Sequence, residues 1–325
     1  MVIDRKKILV IKNLKKYFPV EKGVLRKVVG YLKAVDDVSF FINEGETLGL
    51  VGESGCGKTT TAECILRLQE PTAGEVIFEG KNLVSLNANS MRETRKNIQM
   101  IFQDPYSSLD PKMRVVDIVA EPLDIFNLVE NKKERTDKVK QLLNNVGITP
   151  EQMNRFPYEF SGGQRQRVGI ARSLAINPKL IVADEPVSAL DVSIQAQIIN
   201  LIKNLQSKYN LTYLFISHDL SVVKYISDRI GIMYLGKLVE INDKKNIYDN
   251  PMHPYTQSLL SIIPIPDPTY KRKKSLLKGD VPSLLNLPSG CRFHPRCPKA
   301  KDICREREPK FKSMGNGHFV ACHLY

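Results

Sequence analysis

Apolar and polar positions along the chain follow two periods that change over at identifiable points. Residues 8–18 alternate as a strand and turn, and a second strand pattern, AVDDVSFFI, resumes at Ala34 after the insertion EKGVLRKVVGYLK. This predicts two antiparallel strands joined by a long loop. The segment ETLGLVG is a short continuous apolar run that stops at a glycine-rich loop, and TTTAECILRLQ then places apolar residues at helical spacing. Strand, loop and helix follow in that order.

Between residues 104 and 174 the strand patterns give way to helical ones: VVDIVAEPLDIFNLV, KERTDKVKQLLNNVGI and GGQRQRVGIARSLAIN, the last stopped by Pro178. Strand signals return in KLIVAD and LTYLFIS, alternating with a helix at SIQAQIINLIKNLQSKY. That rhythm implies a parallel sheet covered by helices, hence an α/β protein. Beyond about residue 260 the periodicity fades into PIPDPTYKRKK, a Pro-rich and then basic linker. The expected division is a main domain over 1–260, with a helical subdomain at about 104–174, and a basic, Cys-rich extension over 261–325. No internal repeat is visible.

Composition changes this picture little. The chain has 325 residues, 42% hydrophobic and 26% charged, which suits a globular protein with a real core. No apolar run approaches the roughly 18 residues that would cross a bilayer, and the opening MVIDRKKILV lacks the features of a secretory signal. The protein is therefore expected to stay in the reducing compartment where it is made. Six cysteines there favour metal or redox chemistry over disulfides. The net charge of +13 first suggests nucleic acid or an anionic membrane, but residues 265–325 hold 13 Lys or Arg against 5 Asp or Glu. That places +8 of the excess in the terminal segment, where a solvated basic tail is the plainer reading.

The chemistry sits in ordered motifs. Gly52-Glu53-Ser54-Gly55-Cys56-Gly57-Lys58-Thr59, followed by Thr60, fits G-x-x-x-x-G-K-[ST] between a strand and a helix. Its glycines let backbone N–H groups face phosphates, Lys58 reaches the β- and γ-phosphates, and the Thr59 hydroxyl ligates Mg²⁺. The run LIVADE delivers Asp184 and Glu185 at the carboxyl end of an apolar strand. Asp184 suits Mg²⁺ held through water, and Glu185 suits the general base that polarises the attacking water.

The segment Ser161-Gly162-Gly163-Gln164-Arg165-Gln166-Arg167, upstream of that strand, resembles the signature that distinguishes ABC-type ATPases from other phosphate-loop enzymes. The resemblance implies an ABC-type nucleotide-binding domain: a RecA-like phosphate-loop core, an antiparallel β subdomain and a helical subdomain. It also implies a head-to-tail dimer in which this serine and these glycines bind the γ-phosphate of ATP held by the opposite subunit. Further positions match the family in order. Gln103 in QMIFQDP resembles the lid glutamine that touches Mg²⁺; Ser188-Ala189-Leu190-Asp191 resembles the loop that crosses the dimer interface. His218 resembles the switch histidine at the γ-phosphate, and Tyr17, with Phe18 as a rival, resembles the ring stacked on adenine. Phe160 departs from the usual leucine before the signature serine, and either residue packs a helix start. Cys56 and Cys64 read as small buried residues.

Outside the motifs, KKYFPVEKGVLRKVVGYLKAVDDVSF, VGESGCGKTT, NPMHPYTQSLL and the cysteine-bearing terminus resemble the oligopeptide and dipeptide importer ATPases over essentially the whole chain. The insertion between Phe18 and Ala34 is similar to that of the second of the two ATPases such importers pair. The partners so implied are a paired ATPase, in a heterodimer or a homodimer, two transmembrane permeases and, indirectly, an extracytoplasmic peptide-binding protein. The place implied is the cytoplasmic face of the membrane, and no nucleic acid is expected. Nickel or another small solute stays open as cargo. A soluble ABC ATPase acting on DNA or ribosomes is the rival class; 102 residues between Lys58 and Ser161 leave no room for long coiled coils, and there is one cassette.

Cys291, Cys297, Cys304 and Cys322 lie with 5, 6 and 17 residues between successive members. Four thiolates suit tetrahedral Zn²⁺ or a [4Fe–4S] cluster, and spacing leaves the two undecided. The resemblance to peptide importers that carry a cubane cluster favours [4Fe–4S]. His294, His318 and His323 are alternative ligands, and free thiols in a folded tail the plain alternative.

Overall fold

The computed structural model describes residues 6–23, 26–104, 106–263 and 282–325. Two compact units divide the chain, residues 1–85 with 217–325 and residues 86–216.

The first unit opens with β1 (Lys7–Lys22) and β2 (Lys27–Asn43), which pair antiparallel almost to their tips, Phe18 opposite Leu32 and Glu21 opposite Val28. The expected long loop is thus largely strand. The segment KVVGYL carries β-branched and aromatic residues that suit a ladder, and Gly23 and Arg26, both at positive φ, turn the chain. After β3 (Thr47–Val51) and α1 (Lys58–Ile65) come β4 (Ala73–Phe78) and β5 (Lys81–Asn82). Pairing runs in the order β2-β1-β4-β5. Leu9, Ile11, Leu14, Val38, Ile42, Val76 and Phe78 are buried, so this sheet has a true core face.

The second unit contains α2 (Ala88–Thr94), β6 (Ile98–Ile101), α3 (Val115–Ile125), α4 (Lys132–Asn145), α5 (Gly162–Leu174), β7 (Leu180–Asp184), α6 (Val192–Tyr209) and β8 (Thr212–Ser217). β7 lies between β6 and β8, parallel to both. Every residue of β7 and β8 is buried, which explains why these strands read as continuous apolar runs instead of alternating ones. Side chains start the helices: Asn131, Ser161 and Asp191 accept backbone N–H groups at the starts of α4, α5 and α6. Asn210, in the left-handed conformation, ends α6.

The chain returns to the first unit with α7 (Leu220–Ile226), β9 (Arg229–Tyr234), β10 (Lys237–Asp243), α8 (Lys244–Asp249) and α9 (Pro254–Ile262). The linker PIPDPTYKRKK lies outside the described residues. Then follow α10 (Ile303–Glu306), β11 (Lys312–Ser313) and β12 (Phe319–Val320). β3 pairs parallel with β9, β9 antiparallel with β10, and β10 antiparallel with β12 through Glu240 opposite Val320. The Cys-bearing terminus therefore supplies a strand to this sheet and does not stand apart from it.

Candidate active site

The glycine-rich loop joins β3 to α1, as its sequence context requires. Gly57 sits at the start of α1 with φ +104°, and a Cβ there would lie 2.1 Å from the Ala34 carbonyl oxygen. A Cβ on Gly52 would lie 2.2 Å from the Met233 carbonyl oxygen. Only glycine fits either place. The Lys58 side chain is buried and folds back over the loop, its Nζ donating to the carbonyl oxygens of Gly52 (2.8 Å) and Glu53 (3.1 Å). The Cys56 thiol is buried beneath it, and burial pushes its pKa up. Ser54, Gly55 and Thr59 are exposed and Thr60 half-buried.

In the second unit, β7 carries buried Asp184 to its carboxyl end, and Glu185 follows at φ +44°. A non-glycine residue in that conformation is strained and is held here by its neighbours. The Glu185 N–H donates to the Ile216 carbonyl (3.0 Å), and the Glu185 carbonyl accepts from the Ser188 N–H (3.2 Å) and Oγ (3.0 Å). Gln103, on the exposed stretch after β6, donates from Nε2 to Glu185 Oε2 at 3.2 Å. Two of the residues singled out from sequence, 82 positions apart, thus meet directly.

Ser161 opens α5 in a reciprocal capping box: its Oγ accepts from the Gln164 N–H (3.3 Å), and Gln164 Oε1 accepts from the Ser161 N–H (3.0 Å). Ser161 is exposed, whereas Gly163 is buried so closely that a Cβ would lie 2.4 Å from Ile194 Cγ2. Asp191 accepts from the Ser193 hydroxyl (2.6 Å) and the Ile194 N–H (3.0 Å), and these bonds hold its carboxyl below the usual range. His218 is exposed immediately after β8.

Tyr17 and Phe18 are both half-buried on β1. The Tyr17 hydroxyl donates to Asp36, and burial followed by that bond raises its pKa well above the usual phenol range. Sequence reading passed over Asp36, which also receives Arg292 from the terminal segment. It likewise passed over Arg296, whose guanidinium forks onto the Glu53 carboxylate at 2.8 and 3.1 Å. The motif NPMHPYTQSLL proves to be a folded corner. The N–H groups of Met252 (2.7 Å) and His253 (2.9 Å) donate to buried Glu240, which His318 also contacts at 2.8 Å. The Tyr255 hydroxyl accepts from the Glu53 N–H at 3.0 Å.

The hydroxyl of Thr59, the carboxylate of Asp184 and the carboxamide oxygen of Gln103 are each hard oxygen donors of the kind Mg²⁺ takes. The four terminal cysteines share one neighbourhood: Cys291 donates its N–H to the Cys304 carbonyl at 2.8 Å. Burial pushes the Cys291 thiol up to about 11, with smaller contributions from the charges of Cys304, Cys322 and Cys297. Yet no group of three or more His, Cys, Asp or Glu among the described residues is arranged to hold a metal ion. The expected [4Fe–4S] or Zn²⁺ ligand set is therefore not drawn together as such a group among the described residues. The surrounding histidines make protein bonds instead, His294 to Cys291 O and His323 to Arg307 O.

Residues 35–188 match the family model "ABC transporter", and residues 239–304 match "Oligopeptide/dipeptide transporter, C-terminal region". The chain is 54% identical over 325 residues to the oligopeptide transport ATP-binding protein AppF of Bacillus subtilis, covering 99% of this chain and 98% of that protein. It is 54% identical over 293 residues to the oligopeptide transport ATP-binding protein OppF of Haemophilus influenzae, covering 90% and 88%. Among solved structures, a dimeric ATP-binding cassette in a post-hydrolysis state, bound to ADP and Pi, matches with TM-score 0.65 and 30% identity over 73% of this chain and 98% of that one. The order of motifs, the folds of the two units and these likenesses agree, and the chain belongs to the ABC ATPase family, among the ATP-binding proteins of oligopeptide transport.

Proposed function

We propose that this chain hydrolyses ATP to power the import of di- and oligopeptides through partner permeases at the cytoplasmic face of the membrane. The observation that carries the hydrolytic reading is the 3.2 Å bond from Gln103 to Glu185, an acid held at the end of a buried strand by a polar side chain from a separate loop. The peptide reading rests on relatives named for oligopeptide transport over nearly the full chain. No helix among the described residues is long and apolar enough to cross a membrane, so the translocation path belongs to other subunits in this reading.

In the proposed mechanism the loop N–H groups and Lys58 bind the phosphates of ATP, with Tyr17 beside the base. Lys58 exchanges its two carbonyl partners for phosphate oxygens. Glu185 accepts the proton of the attacking water, with Gln103 and His218 orienting it. Asp184, Thr59 and Gln103 would hold Mg²⁺, which supplies charge neutralisation at the phosphates when bound. Ser161, Gly162, Gly163 and Gln164 address the nucleotide of a paired ATPase, and Asp191 belongs to the loop at that interface. Whether that partner is a second copy or a related chain is read out by the composition of the purified complex. The four terminal cysteines retain a metal-centre reading on donor chemistry, with the resemblance to peptide importers placing [4Fe–4S] before Zn²⁺, and no step above runs through it. Metal analysis of anaerobically purified protein decides it. The test of the main reading is ATPase activity of the complex with and without peptide-loaded binding protein; stimulation by peptide supports it, and stimulation by nickel or another small solute alone would replace the cargo.

A further inference from the structure

Glu53 is the acidic residue of the phosphate loop, and every polar group it has is engaged. Its N–H donates to the Tyr255 hydroxyl (3.0 Å), and its carbonyl accepts from Lys58 Nζ (3.1 Å) and from the Cys56 N–H (3.2 Å). Its carboxylate receives both Nη atoms of Arg296, at 2.8 and 3.1 Å. Arg296 belongs to the terminal segment, 243 residues away in sequence and directly before Cys297. Its side chain is only 7% exposed, that of Glu53 24%. Arg296 also donates to the Tyr234 hydroxyl (3.4 Å), and the rings of Tyr234, Tyr255 and Phe293 meet one another in tilted and edge-on contacts with centroids 4.6 to 5.3 Å apart. A carboxylate in a loop that faces a triphosphate repels its ligand unless its charge is cancelled, and in a half-buried site that repulsion is poorly screened.

We propose that Arg296 is a positioning residue for the phosphate loop: by forking onto Glu53 it cancels the carboxylate there, so that triphosphate affinity depends on the folded terminal segment. The inference rests on the reading of residues 52–59 as the phosphate site. A guanidinium is the right group, because its planar fork meets both carboxylate oxygens, whereas an ammonium would meet one.

The experiment measures the Kd for ATP and for adenosine on the full-length chain, with KM and kcat for ATP in parallel. R296Q leaves the Glu53 charge uncancelled and is expected to weaken ATP about tenfold, with the loss in KM, while adenosine binding is unchanged. R296K restores part of the affinity. The double variant E53Q/R296Q restores most of it, since the repelling charge is gone. A native ATP affinity in R296Q overturns the proposal, and so does a double variant as weak as R296Q, which would mean lost folding and not uncancelled charge. Should R296Q fail to fold, E53Q alone decides: it is expected to bind ATP at least as tightly as the native chain, and a tenfold loss there overturns the proposal. K58A separates the two levels, because unchanged ATP binding in K58A would sink the phosphate-site reading itself.

Discussion

At the scale of single residues, the positions with dictated chemistry were legible and their restraints were not. The glycine-rich loop, Lys58, Asp184 and Glu185 stand out by residue type and spacing, and the signature serine by its resemblance to a family motif. Glu185→Gln is expected to lower kcat by at least about 100-fold while ATP still binds; retained turnover would remove Glu185 from the role of base. Gly57→Ala introduces a Cβ 2.1 Å from a carbonyl oxygen at φ +104°, and a loss of about 2 kcal/mol or more in denaturant unfolding is expected. Arg292, Arg296 and Asp36 escaped notice because an Arg or Asp in a loop carries no pattern until its partner is known. Arg296 and Glu53 lie at opposite ends of the chain, so no local period could pair them.

At the scale of elements, periodicity identified the buried strands and amphipathic helices, and it failed where pairing supplied the order. The segment before Ala34 reads as a loop because Val28, Val29 and Tyr31 are exposed and have no alternating core face, yet backbone pairing with β1 makes it strand. The corner at 250–256 was visible only as a run of residues, although it starts α9. There His253 is buried and accepts the Tyr255 N–H on Nδ1 at 3.1 Å. Burial lowers its pKa from 6.5 to about 3. The unfolded chain therefore takes up a proton below about pH 6.5 that the folded chain refuses. Stability is full above that pH and falls as pH drops toward 3, by up to roughly 1.4 kcal/mol per unit. His253→Asn, which keeps an acceptor without titrating there, is expected to flatten the unfolding free energy between pH 4 and 6.5; an unaltered slope would clear His253 of the effect.

At the scale of the whole chain, the class of the protein was carried by motif order, and the likeness to oligopeptide transport ATP-binding proteins extends it over nearly every residue. What the sequence left undetermined was the place of the terminal segment. A basic, cysteine-bearing stretch reads as an appendage, because two-residue strands such as β11 and β12 are too short to show a period. Its β12 covers the edge of β10, so ending the chain at residue 281 is expected to expose that edge and promote aggregation, seen as a shift from the native elution volume in size exclusion. The central claim is that ATP hydrolysis by this chain drives peptide import. Uptake of a labelled oligopeptide into proteoliposomes holding the permeases and paired ATPases, with peptide-binding protein outside and ATP within, tests it most directly. The account predicts ATP-dependent accumulation that Glu185→Gln abolishes; uptake that ignores ATP, or that survives Glu185→Gln at the native rate, would contradict it.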